Sequence, residues 1–238
     1  MTKLMTSLMT AGIALGSVAL LGAPAMAQSA TGPSLSANVA VVSDYRFRGV
    51  SQSDEDPALQ GGLDVGYQGF YVGTWGSSIQ ENRGAETEFD LYGGWGTTFA
   101  NDMAFDVGFL YYTYPDGNNT NYYEFYTSVS GKVQQLEWKL GANYSPDQNN
   151  LGDDDDLYLQ GSVKYTLPNS PIYVAAHGGW ENGALADPDL SGGNNKIDWS
   201  ASIGVTWQAW DVSVSYVDTD QHCNACDATA VFSIGASF

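Results

Sequence analysis

Positive charge is what this chain has least of. Its 238 residues include 8 Lys and Arg against 27 Asp and Glu, a formal net charge of -19. That balance excludes a nucleic-acid binder, because affinity for a phosphate backbone comes largely from Lys and Arg. Long apolar runs are nearly as scarce. The stretch 8–21 is interrupted by Gly12 and Gly16, and no later segment offers the roughly 18 consecutive apolar residues of a membrane helix. Helical spacing is hard to find in any window, which sets helical folds aside. Aromatic residues are abundant: 7 Trp, 15 Tyr and 9 Phe, with recurrent Val and Ile, exclude a disordered chain.

Lys3, the apolar stretch 8–21 and the small-x-small triplet Ala25, Met26, Ala27 have the form of a secretory signal. Residues 1–27 are therefore expected to be removed, leaving 28–238 as one exported domain. Such a domain can enter a membrane only as strands.

From Leu35 onward the pattern has period two. The first expected strand places Leu35, Ala37, Val39, Val41, Tyr45 and Phe47 on a greasy face, with Ser36, Asn38, Asp44 and Arg46 opposite. Similar sets recur, such as Phe89, Leu91, Trp95, Phe99 and Ile197, Trp199, Ile203, Val205, Trp207, ending with Ala230, Phe232, Ile234, Phe238. One strand, 70–79, is apolar on both parities, and its faces stay unassigned. Counting it, there are twelve. The connections alternate strictly. Those at 68–69, 100–102, 134–135, 166–170 and 208–209 are short. Those at 48–57, 80–85, 115–120, 145–155, 181–196 and 218–227 are longer and rich in Asp, Asn, Gly and Pro. Short turns at one end and long acidic loops at the other are the signature of an antiparallel transmembrane β-barrel, with the turns on the periplasmic side.

Strand charges fall on the polar parity. A secreted β-sandwich would sort them the same way, so this shows half-buried strands without identifying lipid. The aromatic residues discriminate further. Tyr67, Phe99, Trp138, Tyr165, Trp207 and Trp210 sit beside short turns, while Phe47, Tyr111, Tyr144, Trp180, Trp199 and Tyr216 sit toward long loops. Two such belts match the interfacial girdles of outer-membrane barrels. The last strand ends on Phe238, which looks like the assembly signal of these barrels. A ten-stranded barrel and a soluble sandwich are the alternatives.

Three segments carry a family resemblance. They are the stretch from Ser36-Ala37-Asn38-Val39 to Ser43-Asp44-Tyr45-Arg46-Phe47-Arg48-Gly49-Val50-Ser51-Gln52-Ser53, then Pro57-Ala58-Leu59-Gln60-Gly61-Gly62 and Gly69-Phe70-Tyr71-Val72-Gly73-Thr74-Trp75-Gly76-Ser77. Together they resemble the TorF-like porins of proteobacteria. The resemblance implies an outer-membrane barrel with a channel role, and no particular substrate.

Pore-lining candidates are the charged and polar residues of the inward parity: Asp44, Arg46, Asp64, Glu88, Asp90, Tyr92, Asp106, Glu124, Lys139, Lys164 and His177. They would form either a transverse field that orients solutes or an internal salt-bridge network that fills the barrel. Cys223 and Cys226, in the last long loop, suit a disulfide in an exported chain. A zinc site there would have only His222 and Asp220 or Asp227 to complete it. A redox motif would need a βαβ context that is missing. Asp153, Asp154, Asp155 and Asp156 read as a solvated loop, or as a weak divalent-cation site bridging to lipopolysaccharide. Their spacing is not that of an EF-hand loop.

His177 with a nearby serine could serve a lipid-modifying barrel enzyme, although no Gly-x-Ser-x-Gly elbow is present. The sequence thus points to a narrow, cation-preferring outer-membrane channel for small hydrophilic solutes, without cofactor or catalysis. Its expected partners are outer-membrane lipid and lipopolysaccharide, the solutes themselves, and the barrel-assembly machinery through Phe238. A closed structural or adhesive barrel is the second reading, and the lipid-modifying enzyme the third.

Overall fold

The computed structural model describes residues 32–82, 84–99, 102–115, 117–118, 120–186 and 195–238. The expected signal segment 1–27 lies outside them, as do parts of the 80–85, 100–102, 115–120 and 181–196 connections. The strands are β1 (Ser34–Val42), β2 (Arg46–Phe47), β3 (Val50–Ser51), β4 (Ala58–Tyr67), β5 (Phe70–Asn82), β6 (Ala85–Thr98) and β7 (Ala104–Thr113). They continue with β8 (Tyr122–Val133), β9 (Leu136–Gln148), β10 (Asp154–Thr166), β11 (Ile172–Gly183), β12 (Asn195–Trp207), β13 (Trp210–Thr219) and β14 (Thr229–Ser237). Twelve of them, β1 and β4 to β14, close into one antiparallel barrel, and β2 and β3 form a separate two-stranded sheet.

Closure removes the sheet edges that would otherwise expose unpaired backbone. At the seam, β1 pairs with β14 from Asn38↔Ser237 to Val42↔Ser233. The Phe238 N–H donates to the Ala37 carbonyl at 2.9 Å, and the Ala37 N–H donates to the Phe238 carbonyl at 3.1 Å, so the last residue belongs to the seam. The short turns are tight. Gln68 and Gly69 both take positive φ, as a two-residue hairpin with strand-matching twist requires.

Side-chain direction follows the period-two reading. Leu63, Leu91, Leu140, Val163, Ile203 and Ile234 all face outward and are exposed. So are Tyr67, Phe99, Tyr165, Trp207 and Trp210 near the short turns, and Tyr144, Trp180, Trp199 and Tyr216 near the long loops. A continuous apolar exterior with aromatic rims is a surface made for a bilayer, since no water-soluble barrel gains by exposing it. The strand left unassigned in the sequence, β5, resolves in the same sense. Phe70 and Val72 face out, whereas Tyr71, Ser77 and Ile79 are buried inside.

The first strand departs from expectation. It stops at Val42 instead of continuing to Phe47, and residues 43–57 fold into the barrel. Ser43 makes the last wall contacts, donating its N–H to the Phe232 carbonyl and accepting the Phe232 N–H on its hydroxyl. Beyond it Asp44, Tyr45, Arg46 and Arg48 are all buried, so alternation has ended. The reason is chemical. A run with Asp44, Arg46 and Arg48 cannot present a lipid face on either parity once Tyr45 and Phe47 find partners inside. Phe47, expected in the outer aromatic belt, instead meets Tyr112 edge-on at 5.8 Å within the barrel.

Glycines in the strands have a second use besides curvature. Tyr92, Tyr71, Tyr126, Tyr158 and Tyr173 lie flat against the inner wall over Gly73, Gly94, Gly108, Gly179 and Gly204 respectively. A Cβ at Gly108 would stand 2.4 Å from the Tyr126 ring. Substitution of Gly108 by Val is therefore expected to lower stability by about 1–3 kcal/mol, the usual cost of overpacking, in urea titrations of the folded barrel.

Candidate lumen site

The interior is polar and heavily acidic. Among the described residues nine buried carboxylates, from Asp44, Glu88, Asp90, Asp106, Glu124, Asp156, Glu181, Asp198 and Asp211, share it with three buried cations, Arg46, Arg48 and Lys196. Burying a charge costs several kcal/mol unless partners replace its water, so the pairing decides what this interior can be.

Arg48 lies at the centre. Its guanidinium donates to Glu124 at 2.6 Å, to Asp156 at 3.3 Å and to Glu181. These carboxylates come from β8, β10 and β11, so three strands converge on one side chain. The rings of Phe47 and Tyr158 cover its faces at 4.7 and 4.4 Å. Lys196 on β12 pairs with Glu181 and donates to the Leu185 carbonyl at 3.2 Å. Burial disfavours the Arg48 cation, but Glu124 and Glu181 outweigh that and hold its pKa well above the usual value.

Arg46 makes a different set of contacts. It pairs with Asp44 and with Glu55 at 3.3 Å, and donates to the carbonyls of Gly49, Ala225 and Asp227 at 3.2, 3.0 and 3.0 Å. Two of these carbonyls belong to the β13–β14 loop, which carries the Cys223–Cys226 disulfide. The Ser51 N–H also donates to Ala225, at 2.8 Å. Residues 43–57 are therefore tied to the β13–β14 loop beside the barrel seam through Arg46 and Ser51, and to the opposite wall through Arg48. At the tip, Gly49 has φ of 87° and sits where a Cβ would be 2.8 Å from Thr219, so only glycine lets the hairpin approach the wall this closely.

The remaining carboxylates are mostly held by tyrosines. Tyr45 donates to Glu88 at 3.1 Å, Tyr71 to Asp106 at 2.9 Å, Tyr92 to Asp64 at 2.5 Å and Tyr173 to Asp211 at 2.8 Å. Burial, with Glu88 and Asp90 nearby, raises the Tyr45 pKa well above the usual phenol value, so it stays a donor. Asp90 differs from its neighbours: its Oδ1 has no hydrogen-bond partner among the described residues. Lys164 lies 3.9 Å over the Tyr173 ring. A cavity beside Arg48 is lined by Phe47, Tyr112, Glu124, Tyr126, Lys139, Asn143, Tyr158 and Gln160.

Most of the sequence candidates occupy this interior, though not as a simple ring. Asp44 and Arg46 belong to the inner hairpin, not to the wall. Glu124, Glu88, Asp90, Tyr92, Asp64, Asp106, Lys139, Lys164 and His177 do project inward from strands. Asp156, expected in a solvated acidic loop, is buried in the Arg48 cluster, because β10 starts at Asp154 and its parity points Asp156 inside. Asp153, Asp154 and Asp155 stay exposed, and no metal-holding group of three or more His, Cys, Asp or Glu residues occurs among the described residues. Glu181 and Lys196 were expected in a long loop. Both are strand residues facing the lumen.

His177 faces the lumen, not lipid. Its Nε2 lies 2.9 Å from the Tyr158 hydroxyl and 3.1 Å from Asp198, and its Nδ1 has no partner among the described residues. Ser162 and Ser200 are its cross-strand neighbours, but neither hydroxyl bonds the ring. A nucleophile elbow with a base behind it is not what this arrangement provides.

Among solved structures, the fold is similar to the KdgM porin, with 11% identity, a TM-score of 0.58, and coverage of 85% of this chain and 98% of that one. It is similar also to the NanC porin, with 14% identity, a TM-score of 0.57, and coverage of 86% and 99%. At such identities the likeness is one of fold. No curated protein matches the sequence. A family profile described as "Bacterial protein of unknown function (Gcw_chp)" matches residues 26–238, nearly the whole chain, and the protein is accordingly a member of the Gcw_chp family.

Proposed function

We propose that this protein is an outer-membrane channel for small hydrophilic solutes, narrowed by its inner hairpin and preferring cations. The TorF-like resemblance of residues 36–77 agrees with this reading. The observation that carries it is the closed lipid-compatible barrel around an interior with, among the described residues, three times as many buried carboxylates as buried cations. A purely structural barrel of this size could fill its interior with apolar side chains. Here the wall presents Ser128, Asn143, Gln160, Ser200, Ser213 and Ser215 to the lumen, groups that replace the hydration of a passing solute.

The sign of the interior argues against a polyanionic solute. The KdgM porin is known in complex with oligogalacturonate, a polyanion. A polyanion entering the lumen described here would meet like charge at nearly every level, whereas a cation gains from it. Discrete conductance steps are expected from folded protein in a planar bilayer, with a reversal potential in a salt gradient on the cation side. Steps with anion preference would overturn the selectivity. Silence from protein that still migrates as a folded band in unboiled SDS samples would favour a closed structural barrel.

A further inference from the structure

The contacts of Arg48 have the form of a ligand-binding site. Three carboxylates from β8, β10 and β11, Glu124, Asp156 and Glu181, converge on one guanidinium, and an aromatic ring, Tyr158, covers it from the wall. Every one of these groups belongs to the barrel. The guanidinium alone does not: it arrives on the inner hairpin, between β2 and β3, at a residue with φ of 47°. A non-glycine residue in that region carries backbone strain that its side-chain contacts must offset. The cavity lined by Tyr126, Lys139, Asn143 and Gln160 adjoins the same guanidinium and reaches Glu124 of the cage.

We propose that Glu124, Asp156, Glu181 and Tyr158 form a binding site for solutes bearing a guanidinium group, and that Arg48 occupies it as the chain's own pseudo-ligand. This deepens the channel reading and rests on it for its transport consequence. The charge arrangement supports it. With Lys196 fixed on Glu181, removal of Arg48 leaves the cage with three carboxylates and one cation, an electrostatic vacancy for a planar cation with forked donors. An incoming guanidinium would compete with Arg48 and free the hairpin on that side. The Arg46 contacts to Ala225 and Asp227 would still tether it. Solute binding and widening of the lumen are then one event.

The test uses the full barrel and an Arg48→Ala variant, with guanidinium chloride at millimolar concentration as probe and sodium chloride at equal ionic strength as control. Two readouts are independent of each other. In the first, guanidinium is expected to raise the temperature at which Arg48→Ala loses its folded band in SDS, and to leave the parent protein unshifted. Equal shifts with sodium, or none, would overturn the site whether or not the protein conducts. In the second, Arg48→Ala is expected to conduct several-fold more than the parent, and guanidinium to lower that current again. A variant stabilised by guanidinium yet silent in the bilayer would uphold the site and refute the channel. A conducting variant indifferent to guanidinium in both readouts would do the reverse. Should Arg48→Ala fold poorly, Arg48→Gln keeps the aliphatic stem and an amide donor without the charge, and the same outcomes apply.

Discussion

Replacing Glu181 by Leu is expected to cost about 3–5 kcal/mol of folding free energy, the usual effect of breaking a buried ion pair from one side. Glu181 is wholly buried and is the bridge between Arg48 and Lys196. Without it Arg48 keeps Glu124 and Asp156, but Lys196 loses its direct ion pair and, among the described residues, keeps a hydrogen bond to the Leu185 carbonyl with Asp156 as a more distant counter-charge. The control is the other lysine–glutamate pair of the wall, Lys132 and Glu137, at 2.7 Å and about half exposed near a periplasmic turn. There Glu137→Leu is expected to change stability by less than about 1 kcal/mol, because solvent screens the pair and long side chains give up entropy to form it. Urea unfolding of both variants in the same lipid gives the comparison. Equal losses would mean that the lumen is wet enough to hydrate Lys196, and that the Arg48 cluster is not a dry site.

The difference between these two pairs also shows which part of the molecule is written in local pattern. The barrel wall is legible because period-two alternation repeats in every strand but β5, and because the alternation of short and long connections is independent of it. Strand number, orientation and the outward set around Leu63, Leu140 and Ile203 follow from those two signals. Residues 43–57 break the rule. Tyr45 and Phe47 continue the apolar parity of Val39 and Val41, so the alternation runs on in sequence after it has ended in space. What turns the chain inward is long-range: Glu88 on β6 for Tyr45, Tyr112 on β7 for Phe47, and Glu124, Asp156 and Glu181 for Arg48. None of these lies within 40 residues of its partner. Three arginine-to-loop clues were nevertheless present: Arg46, Arg48 and the turn-forming Gly49 within four residues of an otherwise base-poor chain.

Asp156, Glu181 and Lys196 escaped for a related reason. Each sits where a strand runs past the membrane into a loop, and loop composition masks strand parity there. Extending the parity of Tyr158 back to Asp156, and of Gly179 on to Glu181, would have placed both inside. The tyrosine–glycine pairs were half legible. Glycines within strands mark close approach of something, but the partner, a ring laid across from the neighbouring strand, depends on register. Once register is known, Gly73↔Tyr92 and Gly108↔Tyr126 are direct cross-strand pairs. The same rings that need these glycines then donate to carboxylates or to one another, so wall curvature and lumen electrostatics depend on one set of residues.

The strongest test of the membrane assignment is a charge placed on each face of one strand. Ile203 lies near the middle of β12, faces outward and is 56% exposed, with Val174 and Val214 as cross-strand neighbours. Ile203→Arg is expected to destabilise the barrel by about 2–4 kcal/mol in bilayers, the cost of an arginine at mid-membrane depth. Its neighbour Ser202 points inward, with its hydroxyl 2.7 Å from that of Ser215. Ser202→Arg would enter a lumen already rich in carboxylates, so its electrostatic term is favourable and only packing opposes it. A lipid-facing β12 requires the first variant to lose much more stability than the second in lipid, and the gap to shrink in urea titrations from a detergent with a thin, deformable micelle. If instead both variants lose equally, or Ile203→Arg is tolerated in the bilayer, the apolar exterior would have to face protein and not lipid, and the transmembrane reading of the whole wall would fall with it.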